Sequence, residues 1–142
     1  MTADVIKAAR GWLGTPYMHQ ASVRDVGCDC LGLIRGIWRE VRGDEPEIPP
    51  PYAPDWAEAG GAETLIEAAR RHLVSVQVAN IAPGDVMLFR WRAHLPAKHV
   101  GVLMPDTMMI HAQDGAGVAE VAFCGWWRRH LAAAFRFPEF RA

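Results

Sequence analysis

Gly27-Cys28-Asp29-Cys30-Leu31-Gly32-Leu33-Ile34-Arg35-Gly36-Ile37-Trp38-Arg39-Glu40-Val41 is the stretch on which the reading of this chain turns. Cys30, Ile34, Ile37, Trp38 and Val41 recur at helical spacing and define one face. The spacing predicts an α-helix from near Cys30 to about Val41, entered through a loop containing Gly27. Gly32 and Gly36 each cost about 1 kcal/mol of helix propensity relative to Ala. They make sense if another element packs closely against them. Cys30 then falls in the first helical turn, where unpaired N–H groups and the helix dipole favour negative charge. It also lies on the core-facing stripe, so its sulfur is expected to point at the sheet.

Upstream, Thr2 or Asp4 is expected to cap a first helix carrying Val5, Ile6, Ala9, Trp12 and Leu13, stopped by Gly14 before Thr15-Pro16. Downstream, residues 43–61 are rich in proline, including Pro49-Pro50-Pro51, and read as an extended surface loop. Glu63 to Leu73 has the pattern of a third amphipathic helix. Pro83-Gly84-Asp85 is a turn signal, and Val86-Met87-Leu88-Phe89 reads as a buried strand. Lys98 to Met104 and Thr107 to Gln113 predict a hairpin around Pro105-Asp106. Short strands are expected near Val118 to Val121 and Ala132 to Phe137. Helices precede an antiparallel sheet, an α+β order, within one domain spanning residues 1–142.

Composition narrows the functions. The 142 residues are 51% hydrophobic and 22% charged, sufficient for a core without disulfides or metals. Fifteen Lys and Arg against sixteen Asp and Glu give a net charge of −1. Arg128-Arg129 is the densest basic cluster, so no nucleic-acid face is expected. No window approaches the roughly 18 apolar residues of a membrane span. The N-terminal residues lack a signal-peptide stretch, so synthesis without Sec export from the cytoplasm is expected. Three cysteines make a poor disulfide framework. Thiol chemistry or burial remains.

A thiol attacks as thiolate, and a free cysteine with a pKa of ~8.5 is mostly protonated at neutral pH. A helix start and a nearby histidine both lower that value. His99 and His111 sit in consecutive predicted strands. A two-residue turn would put them on opposite faces; an odd turn such as Met104-Pro105-Asp106 places His99 opposite His111 on one face. The odd turn is the expectation. Cys30 is then the nucleophile, His99 the base, and His111 the group that orients it, with no cofactor required. Cys28-x-Cys30 with the two histidines also has the donor types of a structural zinc site, although Cys-x-Cys is a less usual spacing than Cys-x2-Cys. Cys28 is read as structural, Cys124 as buried packing, and His72, His94 and His130 as solvated.

Five segments together resemble the NlpC/P60 cysteine peptidases, which cleave peptide stems of the bacterial cell wall: Gly14-Thr15-Pro16-Tyr17, Asp29-Cys30-Leu31-Gly32-Leu33, Pro83 to Phe89, Lys98-His99-Val100-Gly101-Val102 and Ile110-His111-Ala112. They run in the family's order from about residue 4 to 121. The resemblance implies a papain-like fold, with N-terminal helices packed on a central antiparallel β-sheet and the nucleophile at a helix N-terminus. It carries the catalytic roles to Cys30, His99 and His111. It also implies that Tyr17 assists the oxyanion and that Asp29 meets the amine of the stem peptide, with His19 near the substrate. Two departures lie beside that substrate: Leu31 where Ser is usual, and Met18-His19-Gln20 where Trp-Gly-Gly is common.

Thr15 to Gln20, Gly27 to Leu33 and the ending from Trp126-Trp127-Arg128-Arg129 to Pro138 resemble a narrower branch, encoded with the tail genes of phages and gene transfer agents. This resemblance implies tail-tip or hub proteins as partners, incorporation into a phage-like particle, and action on the wall of the target cell during DNA delivery. The same likeness admits a tail-tip protein with an inactive fold, for which the aromatic C-terminal stretch would be a docking surface.

Overall fold

The computed structural model describes residues 2–49 and 63–139. α1 (Thr2–Gly11) buries Val5, Ala8 and Ala9, and α2 (Cys30–Arg42) buries Leu33, Ile34 and Ile37. Thr2 and Asp4 both lie within α1, so neither is its cap. The α2 glycines are explained by close approach. A Cβ at Gly36 would stand 1.9 Å from the Trp12 ring, and one at Gly32 would stand 1.9 Å from the Ala21 carbonyl oxygen. Glycine lets α1 and the loop before α2 sit directly on the helix backbone.

Between the two helices runs a small hairpin of β1 (Ser22–Val23) and β2 (Gly27–Cys28). Such short strands carry no period for a sequence reading to detect. After α2, residues 43–49 form no helix or strand, as the prolines predict. Glu45 is held there by Arg35 at 2.6 Å and Arg39 at 3.0 Å. The rest of the proline-rich stretch, residues 50–61, lies outside the described residues. α3 (Thr64–His72) follows, as its amphipathic pattern predicts.

The main sheet contains β3 (Val74–Val76), β4 (Val86–Phe89), β5 (His99–Met104), β6 (Met108–Gln113), β7 (Gly117–Ala122) and β8 (Leu131–Arg136). Its order is β3-β8-β4-β5-β6-β7, and all neighbours are antiparallel. A short helix, α4 (Trp126–Arg129), lies between β7 and β8. The architecture is therefore α+β, with N-terminal helices on an antiparallel sheet. No described helix is long and apolar enough to cross a membrane.

Strand alternation splits the apolar residues between two layers. Val86, Leu88, Val100, Val102, Met104, Ile110 and Ala112 join α1 and α2 in one core. Met87, Phe89, Leu103, Met109 and Phe123 form a second cluster, joined by Trp127 and Leu131. At the β4 entry Asp85 is buried and paired with Arg136 at 2.7 Å, and it also accepts the Ala82 N–H at 2.8 Å.

Candidate active site

Cys30 is the first residue of α2 and keeps some exposed surface. Asp29 is the N-cap. One carboxylate oxygen accepts the Gly32 N–H at 2.7 Å and the other accepts the Gln20 N–H at 2.8 Å. These bonds fix the helix start and hold the loop bearing His19 against it. His19 is partly exposed and its Nδ1 lies 3.9 Å from Asp29. Tyr17 bridges to Cys28 in the same layer.

The Cys30 thiol faces the Lys98 carbonyl oxygen at 3.9 Å, and the backbone N–H groups of Val100, Leu31 and Cys30 favour its thiolate. The sulfur thus sits against backbone on both sides of His99, the first residue of β5. It points at the sheet, as the helical stripe predicts. Along β5, Val100, Val102 and Met104 face α2, whereas His99 shares the parity of Leu103 in the other layer. The start of α2 and the start of β5 meet there, at the backbone that carries His99.

His99 and His111 share one side of the β5–β6 hairpin, as an odd turn requires. The turn is Pro105–Thr107, one residue later than expected, with Asp106 (φ 63°) and Thr107 (φ 60°) both left-handed. His111 therefore pairs with Gly101 and lies diagonal to His99, not opposite it. The missing side chain at Gly101 leaves the space over which the rings join. His99 Nε2 and His111 Nδ1 are 2.8 Å apart, with the ring planes at 89°.

Burial sets the protonation of the group. It pulls His99 down to about 3, helped by His111 and Lys98, and pulls His111 down to about 4. It pushes the Cys30 thiol up to about 12, with the Asp29 charge adding to the rise. The expected lowering of the thiol pKa is thus reversed by burial, against which the N–H donors at the helix start act. The Cys30 thiol and both imidazoles are therefore neutral at rest. Burial, with the Asp29 carboxylate adding to it, also pushes the Tyr17 hydroxyl up to about 12, so it stays a donor.

Cys28 is fully buried in the helix-side core. Among the described residues no group of three or more His, Cys, Asp and Glu is arranged to hold a metal ion. Cys124 is exposed, contrary to the expectation of burial. His72 contacts Glu47 at 2.8 Å, His94 is exposed, and His130 stacks on Trp126. Leu31, one of the departures, lines an apolar cavity of about 260 Å³ with Ile34, Trp38, Leu65 and Val100. Trp91 and Trp127 pack on His99; no local pattern pointed to them, because the contact joins segments distant in sequence.

A cysteine at a helix start lies against the backbone flanking one member of a buried histidine pair, at the end of an antiparallel sheet. The match of the NlpC/P60 family model to residues 14–136 shows that the chain belongs to that family. It is 26% identical over 144 residues to the gamma-DL-glutamyl hydrolase of Bacillus subtilis (strain 168), an alignment covering 97% of this chain and 30% of that protein. The chain thus spans under a third of that relative's length. Its fold is similar to an NlpC/P60 family protein from Bacillus cereus ATCC 10987, with a TM-score of 0.69 and 21% identity over 96% of this chain and 40% of that one. It is also similar to the NlpC/p60 domain of the peptidoglycan hydrolase SagA, with a TM-score of 0.66 and 20% identity over 96% of this chain and 99% of that one. The peptidoglycan hydrolase RipB of Mycobacterium tuberculosis gives a TM-score of 0.64 at 17% identity over 98% and 65% of the two chains.

Proposed function

We propose that this chain is a peptidoglycan stem-peptide hydrolase in which Cys30, His99 and His111 act as nucleophile, base and orienting group. The observation that carries the reading is the position of the sulfur, held at the start of α2 against the Lys98 carbonyl that precedes His99. His99 uses Nε2 toward His111, which leaves Nδ1 for the thiol proton. For Nδ1 to accept, Nε2 must carry the hydrogen and donate it to His111 Nδ1. A neutral His111 can accept it; a protonated one could not.

The chemistry follows from these states. As Cys30 attacks the carbonyl carbon, its proton passes to His99, and a tetrahedral oxyanion forms. The oxyanion collapses to a thioester as His99 returns the proton to the departing amine; water then hydrolyses the thioester. Backbone N–H groups at the helix start and the Tyr17 hydroxyl would hold the oxyanion, each donor contributing about 3 kcal/mol to the barrier reduction. Asp29, with both oxygens committed to backbone N–H groups, supports the site first as the helix cap; its role toward the substrate amine is part of the proposal, as is that of His19.

The segments shared with tail-gene proteins support delivery in a phage-like particle, with tail-tip or hub proteins as partners and the wall of the target cell as the place of action. Digestion of purified peptidoglycan followed by mass spectrometry of the muropeptides tests the activity. The wild-type chain is expected to shorten stem peptides, and Cys30→Ala to leave them intact while remaining folded. Stems left unchanged by the wild type would favour the inactive tail-tip reading.

A further inference from the structure

The histidine pair is roofed by tryptophan. The Trp127 ring lies 5.5 Å from His99 at 29°, and 5.0 Å from His111 at 78°. It is stacked on one imidazole and edge-on to the other. Trp91 adds a second stacked contact to His99 at 5.4 Å and 25°. Trp127 is itself fixed from below, because Phe89 meets it edge-on at 5.0 Å in the second apolar cluster. A flat, anchored indole touching both rings restricts their rotation in a way that an aliphatic side chain would not.

We propose that Trp127, assisted by Trp91, is a positioning residue that sets the ring planes of His99 and His111 and keeps water from the hydrogen bond between them. The inference rests on the reading of His99 as the base. An imidazole that must offer Nδ1 to sulfur while donating through Nε2 has one useful orientation. The 2.8 Å bond fixes two atoms, and the indole fixes the plane. Trp126, 42% exposed and covered on one face by His130 at 3.8 Å, supports the roof from outside, edge-on to Trp127 at 4.9 Å and 5.2 Å from Trp91. The ionisable groups around the roof are His111 on β6, Lys98 with its ammonium 5.4 Å from the Trp91 ring, Cys30 at the start of α2, and His130 and Arg128 about α4.

The test uses the whole chain and two readouts. One is the imidazole N–H proton of the His99–His111 bond by NMR, identified by its loss in His111→Ala; the other is kcat and KM on peptidoglycan. Trp127→Phe is expected to keep the resonance and most of kcat. Trp127→Leu, which retains apolar bulk, is expected to lose the resonance and up to about 100-fold in kcat with KM unchanged. Trp91→Leu should show a smaller loss in the same direction, and provides the comparison should Trp127→Leu fail to fold. Val74→Ala, at an exposed position on the edge strand β3, should change neither readout. A wild type without the resonance, a folded Trp127→Leu that keeps both resonance and kcat, or an equal loss in Val74→Ala overturns the proposal. A wild type that shows the resonance but cleaves nothing would sink the hydrolase reading alone, and the NMR comparison would still decide the role of Trp127.

Discussion

Burial acts in opposite directions on the two partners of the proposed proton transfer, holding a proton on Cys30 and keeping one off His99. The consequence for stability has a definite sign. An unfolded chain binds protons at its histidines below pH 6.5, whereas the folded chain resists until about 4 at His111 and about 3 at His99. Stability from this pair is therefore intact above pH 6.5 and is lost as the pH falls toward those values. Glu45 and Glu63 are held below their ordinary 4.5 by Arg35 with Arg39, and by Arg90, respectively, so their contributions begin to fail only lower. Urea midpoints measured between pH 6.5 and 4.5 should fall steeply in the wild type and flatten in His99→Gln/His111→Gln. An unchanged slope in the double variant would contradict the buried neutral pair.

The β5–β6 hairpin decides whether the pair exists. Its parity was legible in the sequence, because any odd turn returns His99 and His111 to one side. Its register was not, because consecutive left-handed residues at Asp106 and Thr107, neither of them glycine, gave no signal of a turn one residue later. The shift makes Gly101 the partner of His111, and a Cβ there would already lie 3.3 Å from the His111 Cβ. Gly101→Val should thus favour β structure yet fill the space across which the rings meet. Hydrolysis of peptidoglycan is expected to drop on the order of 100-fold, with some loss of thermal stability because the added Cβ also lies 3.2 Å from the Ile110 carbonyl oxygen. Full activity in Gly101→Val would show that the diagonal bond is dispensable. For α2 the sequence was more complete: stripe, start and close-packed glycines all point to one helix, and the stripe also gives the direction of the sulfur, toward the sheet.

Across the whole molecule, local period carried the α+β order, α2, α3, β4 and the later strands. The order of those strands in the sheet, the edge strand β3 and the segment that brings Trp127 onto the histidines are matters of long-range contact, and no local pattern encodes them. Family membership adds the fold as a known frame, and the claim particular to this chain is that one thiol and one imidazole function as a unit within it. Competitive alkylation with iodoacetamide, mapped by mass spectrometry in wild type and His99→Ala, measures that coupling directly. Cys30 should react ahead of the exposed Cys124 in the wild type, since His99 can take its proton as the electrophile arrives, and should lose that lead when His99 is removed. A Cys30 that reacts no faster than Cys124, or whose rate ignores the loss of His99, would contradict the account.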